Sequence, residues 1–249
     1  MTEVLSGIGR YFLFVHAFVR ALLHHGLPMG HTMREAYKIG IKSLPILLII
    51  SAFVGTNLAL QGYHAFKPLG GQRLVGMFVA MAGVRELAPI ITAAMIAAKA
   101  GTEMTSHIGV MRIREQIDAL EVMAVNPLAY LIAPRMLGIL MVLPALTIVA
   151  IFVMMAAACG VCVFQLGLSG EVFLEFASET VGAVDFLYGA VKAFIFGLII
   201  CTISCFYGFT CAPGPEGVGE ATNRAVVLGS VICIVLNYFI SELLYGGAL

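Results

Sequence analysis

The sequence predicts an all-α integral membrane protein: about five transmembrane helices, an N-terminal interfacial helix and a short amphipathic helix on the cytoplasmic side. Composition, five long apolar stretches and the distribution of Lys and Arg carry that reading. Apolar residues make up 61% of the 249 positions and charged residues only 11%, against about 25% charged in soluble domains. So much apolar surface needs an apolar solvent. Net charge is zero, so bulk charge points to neither nucleic acid nor an acidic partner.

A spanning helix needs about 20 mostly apolar residues. Ser43–His64 is the first such stretch. Leu74–Ala98 is the second, with Arg85 and Glu86 inside it. Arg135–Leu166 is the third, too long for one perpendicular helix and open to a bend at Pro144. Phe186–Cys211 is the fourth, interrupted by Lys192, and Ala225–Tyr245 is the fifth. Backbone polar groups in lipid must be satisfied within the segment, which makes these helices. The short alternating segments of a β-barrel do not occur.

Residues 1–42 differ. Ile8–His25 mixes aromatic and aliphatic residues with Arg10, His16, Arg20, His24 and His25. His16, Arg20 and His24 recur every four residues and share a face. A basic face opposite an aromatic one predicts a helix lying in the membrane interface; the competing reading is a short first span. No small-residue cleavage site follows Glu3 and Arg10, so no cleaved signal peptide is expected.

With the N-terminus in the cytoplasm, that side holds Arg10, Arg20, Arg34, Lys38, Lys42, Lys99, Arg112, Arg114, Arg135 and Arg224, and the outer side only Lys67 and Arg73. This asymmetry orients the chain and puts the C-terminus outside. Between spans two and three, residues 102–127 form a charged cytoplasmic segment. Ile113, Ile117, Leu120 and Ala124 make one helical stripe, with Arg114, Glu115, Asp118 and Glu121 off it. That helix is expected to end near Asn126-Pro127. On the outer side, residues 168–185 carry Glu171, Glu175, Glu179 and Asp185 with Phe173 and Phe176 interleaved. A surface helix, a docking site and a solvated loop all fit.

Little here suggests chemistry of its own. The six cysteines lie in or beside apolar stretches and read as small buried side chains rather than metal ligands or disulfides. No phosphate-binding loop, GxSxG or HExxH occurs. The chain is therefore expected to be no enzyme and to carry no cofactor; ATP, if used, binds another subunit. Charges within spans are costly and mark candidate sites: Arg85, Glu86 and Lys192. Arg85 and Glu86 point about 100° apart, so each needs its own partner. Pro89 has no N–H for the Arg85 carbonyl, which predicts a kink and a free carbonyl there. On these residues alone an ion-coupled secondary transporter, or a purely structural scaffold, is also possible. Inverted repeats would favour the secondary transporter, and five spans do not divide evenly.

Arg85-Glu86-Leu87-Ala88-Pro89, Lys99-Ala100-Gly101 and Ile108-Gly109-Val110-Met111-Arg112 follow one another in order. Glu115-Gln116-Ile117-Asp118-Ala119-Leu120, Met123-Ala124-Val125-Asn126-Pro127 and Pro134-Arg135 continue the run. With Leu60-Gln61-Gly62-Tyr63 and Ala221-Thr222-Asn223-Arg224-Ala225-Val226-Val227, this pattern closely resembles the MlaE-family permeases of MCE-associated phospholipid ABC transporters, over nearly the whole chain. Two positions depart from it: Lys99 where Arg is expected, and Asn237 where some members carry an acid.

The resemblance implies a single permease domain over 1–249, paired with a second copy of itself in a bacterial inner membrane, with a plastid inner envelope as the alternative. It implies cytoplasmic ATPase subunits carrying ATP and magnesium, an outer-side MCE lipid-binding protein and, in some systems, a STAS-type subunit. The cargo it implies is phospholipid, in keeping with outer-membrane lipid asymmetry. Leu58, Leu60, Gln61, Tyr63 and Asn237 then join Arg85, Glu86 and Lys192 as lipid-site candidates. Glu115, Gln116, Asp118 and Glu121 become candidates for the ATPase interface, with Ile117 and Leu120 holding that helix to the permease.

Overall fold

In the computed structural model, the described backbone covers residues 2–25 and 29–246; the side chains of 1–6, 8 and 22–29 lie outside the described residues, among them Glu3, His24 and His25. Among these residues fourteen segments follow in order: α1 (Thr2–His25), α2 (Met29–Phe66), two 3-10 turns (Lys67–Leu69 and Gln72–Leu74), α3 (Val75–Ala82), a π-helical turn (Gly83–Leu87), α4 (Ala88–Ile96), a second π turn (Ala97–Gly101), α5 (Thr102–Ile113), α6 (Gln116–Val122), α7 (Pro127–Phe164), α8 (Gly170–Thr180), α9 (Ala183–Phe209) and α10 (Pro215–Tyr245). Among the described residues, five helical stretches are long and apolar enough to cross a membrane: 30–69, 72–113, 127–164, 183–209 and 215–245.

All five expected spans are present, and each helix outruns its apolar stretch at one end or both. α2 begins fourteen residues before Ser43 and α10 ten before Ala225. Hydropathy marks the part that needs lipid, whereas helical hydrogen bonding continues for as long as the side chains permit. α7 starts at Pro127 rather than Arg135 and runs as one helix through Pro144 to Phe164. Its start is locally encoded: the Asn126 side-chain oxygen accepts from the N–H groups of Leu128 (3.0 Å) and Ala129 (3.4 Å), with Pro127 at the first helical position.

Residues 102–127 differ from the single amphipathic helix expected there. Thr102–Ile113 is the continuation of the second spanning helix through the Ala97–Gly101 π turn, not a separate element. The chain breaks at Glu115, which sits in the left-handed region (φ 56°), and only Gln116–Val122 forms the short helix. The stripe of Ile113, Ile117, Leu120 and Ala124 is cut by that break. Ile117 is buried and Leu120 half-buried, whereas Ile113 and Ala124 are exposed.

The chain divides into two compact units. The first comprises residues 1–39, 96–142 and 197–232. Here α1 packs on α9: Tyr11 and Phe14 set their rings edge-on to Phe206, with centroids 5.5 and 5.6 Å away, and the Tyr11 hydroxyl is 2.7 Å from Thr202 Oγ1. Burial raises the Tyr11 phenol above its usual range, so it stays protonated. The other face of α1 exposes Phe12 and Leu13 together with Arg10, His16 and Arg20. That mixture suits a helix at a membrane surface.

The second unit comprises residues 40–95, 143–196 and 233–249. Glycines set its helix spacing. A Cβ at Gly55 would stand 2.1 Å from the Met154 carbonyl oxygen, and one at Gly76 would stand 2.3 Å from that of Phe173. No larger residue fits at either close approach. The Gly76 contact seats α8, whose Phe173 and Ala177 are buried while Glu171, Glu175 and Glu179 stay exposed. Within residues 168–185, Gly170–Thr180 is therefore a packed surface helix, not a loop.

Candidate functional site

The intramembrane charges meet in the second unit. A π turn carries one residue more per turn than an α turn, and such insertions recur at functional positions. Gly83–Leu87 is one, placing Arg85 and Glu86 just before Pro89. Lys192, on α9, has no exposed side-chain surface. Its Nζ donates to the Arg85 carbonyl at 2.7 Å, the group that Pro89 cannot serve. It also donates to Ser241 Oγ at 2.7 Å and lies 3.4 Å from Glu86 Oε1. Three ammonium protons thus meet three acceptors.

Glu86 is the hub. Its Oε1 accepts from Ser241 Oγ at 2.7 Å, and its Oε2 accepts from Asn237 Nδ2. Its side chain remains 38% exposed, so one side of the carboxylate faces outward. Arg85 turns elsewhere. Its Nε lies 2.8 Å from Asp185 Oδ1, and its Nη2 donates to the Thr180 carbonyl at 3.1 Å. Asp185 also accepts from the Gly182 N–H at 2.9 Å. The Tyr245 ring lies under both cations, 4.9 Å from Arg85 Cζ and 5.3 Å from Lys192 Nζ. Two cations and two carboxylates close on one another, as burial of charge demands. Among the described residues, Asn237 Oδ1 and the Tyr245 hydroxyl are buried without a hydrogen-bond partner.

The structure brings together Arg85, Glu86, Lys192 and Asn237. It adds Asp185, Thr180, Ser241 and Tyr245, which sequence reasoning did not assign to this site. Asn237 and Ser241 are four apart in an apolar helix, a readable sign of one polar face. Asp185 looked like an outer-surface charge; it is buried and engaged with Arg85. Leu58, Leu60, Gln61 and Tyr63 lie on α2. Leu58 is buried near Gly83, Leu60 and Tyr63 are half-buried, and Gln61 is exposed. Lys67 Nζ sits 5.4 Å over the Tyr63 ring.

In the first unit, Glu115, Gln116, Asp118 and Glu121 are all exposed. Beside them opens a groove of about 750 Å³ lined by Arg112, Ile117, Asp118, Glu121, Asn126 and Phe209. Arg112 Nη1 donates to the Phe209 carbonyl, tying the end of α5 to the end of α9.

Residues 32–243 match the family described as permease MlaE. The chain belongs to the MlaE permease family. Relatives cover most of its length. It is 32% identical over 240 residues to a probable ABC transporter permease protein of Rickettsia felis, covering 96% of this chain and 93% of that one. It is 33% identical over 215 residues to the intermembrane phospholipid transport system permease protein MlaE of Haemophilus influenzae, covering 86% and 82%. Protein TRIGALACTOSYLDIACYLGLYCEROL 1, chloroplastic, of Arabidopsis thaliana is 34% identical over 218 residues, 88% of this chain and 62% of the plant protein. Arg85, Glu86, Asp185 and Lys192, the charged members of the permease's network, all lie inside the matched region.

Proposed function

We propose that this permease is the membrane-spanning subunit of an ABC transporter that moves phospholipid between the inner membrane and an outer-side MCE lipid-binding protein. Hydrolysis of ATP, with its magnesium, takes place on a separate cytoplasmic subunit. The permease acts as a homodimer with its N-terminus in the cytoplasm and its C-terminus in the periplasm. A STAS-type subunit joins in some assemblies.

The family match over residues 32–243 carries this reading, together with the phospholipid system named for the Haemophilus relative. Geometry supports it. Glu86 presents a half-exposed carboxylate backed by a buried ammonium, chemistry suited to a zwitterionic or amine headgroup beside apolar walls. Leu60, Gln61 and Tyr63 offer α2 surface for the acyl part, and Leu58 backs them from the interior. Arg85 is held by Asp185 and Thr180, so it shapes the site more than it meets phosphate. The exposed acids Glu115, Asp118 and Glu121, with Gln116, form the ATPase-facing surface, held by Ile117 and Leu120.

Purification of the native complex tests the assignment: an ATPase and an MCE protein are expected to travel with the chain. A photocrosslinker at position 60 is expected to capture phospholipid. A chain that travels alone, with flux that follows a proton gradient instead of ATP, would replace this reading with an ion-coupled carrier using Glu86 and Lys192.

A further inference from the structure

A second polar cluster, unused by the proposed transport site, lies in the first unit. Arg135 on α7 is only 7% exposed. Its Nη2 is 2.9 Å from Nδ1 of His107 on α5, and its Nη1 has no hydrogen-bond partner among the described residues. Both groups border a cavity with room for about one water, together with Glu35 and Lys38 from α2 and Glu103 from α5. Lys38 pairs with Glu103.

A guanidinium can only donate. The Arg135–His107 bond therefore requires a bare Nδ1, with the imidazole neutral and its proton on Nε2. We propose that this contact is a proton-sensitive latch, closed while His107 is neutral and opened when it takes a second proton. Protonation sets N–H against N–H and places two cations 2.9 Å apart. Arg135 is then left buried without an acceptor, and the carboxylates at hand are Glu35 and Glu103. Swinging to them shifts α7 against α2 and α5 and competes with the Lys38–Glu103 pair. Charged and titratable groups facing His107 are Arg135, Lys38, Glu35 and Glu103; Cys201 and Cys205 on α9 face Arg135. His107 itself is exposed, so the proton has access.

The test uses the full chain in lipid nanodiscs. In His107→Asn, an amide oxygen takes the place of Nδ1 and does not titrate. Thermal midpoints are measured between pH 8 and pH 5, spanning the ordinary imidazole range near 6.5. The wild type is expected to lose at least about 3 °C more than His107→Asn across that range, the scale of one lost hydrogen bond in a chain of this size. Nitrogen NMR of His107 at pH 8 is expected to place the proton on Nε2. An equal acid loss in both proteins, or a proton on Nδ1 at pH 8, overturns the latch.

Discussion

The network around Lys192 and the acidic segment after Glu115 are both rich in charge, but they treat it in opposite ways. Around Lys192 every charge is answered from within the chain: Glu86 by Lys192, Ser241 and Asn237, and Arg85 by Asp185 and Thr180. Along Gln116–Val122 only Ile117 is buried, and Glu115, Asp118 and Glu121 face outward. An apolar solvent makes an unpaired charge expensive, so the first region must close on itself. Exposed charges meet no such demand, and the second region leaves its carboxylates open. Mutations in the first should therefore alter folding and function together, and mutations in the second should alter function alone.

The largest effect is expected inside the network, and it is asymmetric. Glu86→Gln leaves the fully buried Lys192 ammonium without its counter-charge, a loss of about 3 kcal/mol. Lys192→Met leaves a carboxylate that Asn237, Ser241 and solvent still reach, a loss of about 1–2 kcal/mol. Thermal denaturation of both variants in nanodiscs checks the order; equal losses would mean that Lys192 carries little charge in the folded protein. Next come the supports. Asn237→Leu removes one bond to Glu86 and should cost about 1 kcal/mol; Ser241→Ala removes a bond to Glu86 and an acceptor of the buried Lys192 ammonium and should cost about 2 kcal/mol, with the double variant short of the sum because both act on one carboxylate. The smallest stability effect belongs to the other region. Charge reversal at Glu115 and Glu121 should change stability by less than about 0.5 kcal/mol, yet it should reduce lipid-stimulated ATP hydrolysis in the reconstituted complex. Unchanged hydrolysis would break the contrast from that side.

Much of this was legible in the sequence, and the physical reason differs by element. Spans were readable because lipid demands some twenty apolar residues in a row. Their ends were not, because α2 and α10 stay helical well past the apolar part. The break at Glu115 was hidden: a left-handed glutamate carries none of the signal that glycine would give. Arg85, Glu86 and Lys192 stood out as charges in apolar helices. The carbonyl left open by Pro89 was also readable, although its partner, Lys192 from a distant helix, was not. Asp185 and Tyr245 belong to the site only through tertiary packing, and nothing local marks them.

The most direct test of the central claim is phospholipid transport by the reconstituted complex carrying Glu86→Gln, scored per folded permease, with ATP hydrolysis measured in parallel. A site that handles lipid predicts at least a tenfold loss of transport in the fraction that remains folded, with the ATPase still bound. Transport at the wild-type rate, accompanied only by a lower melting temperature, would show the network to be a packing device and contradict the account.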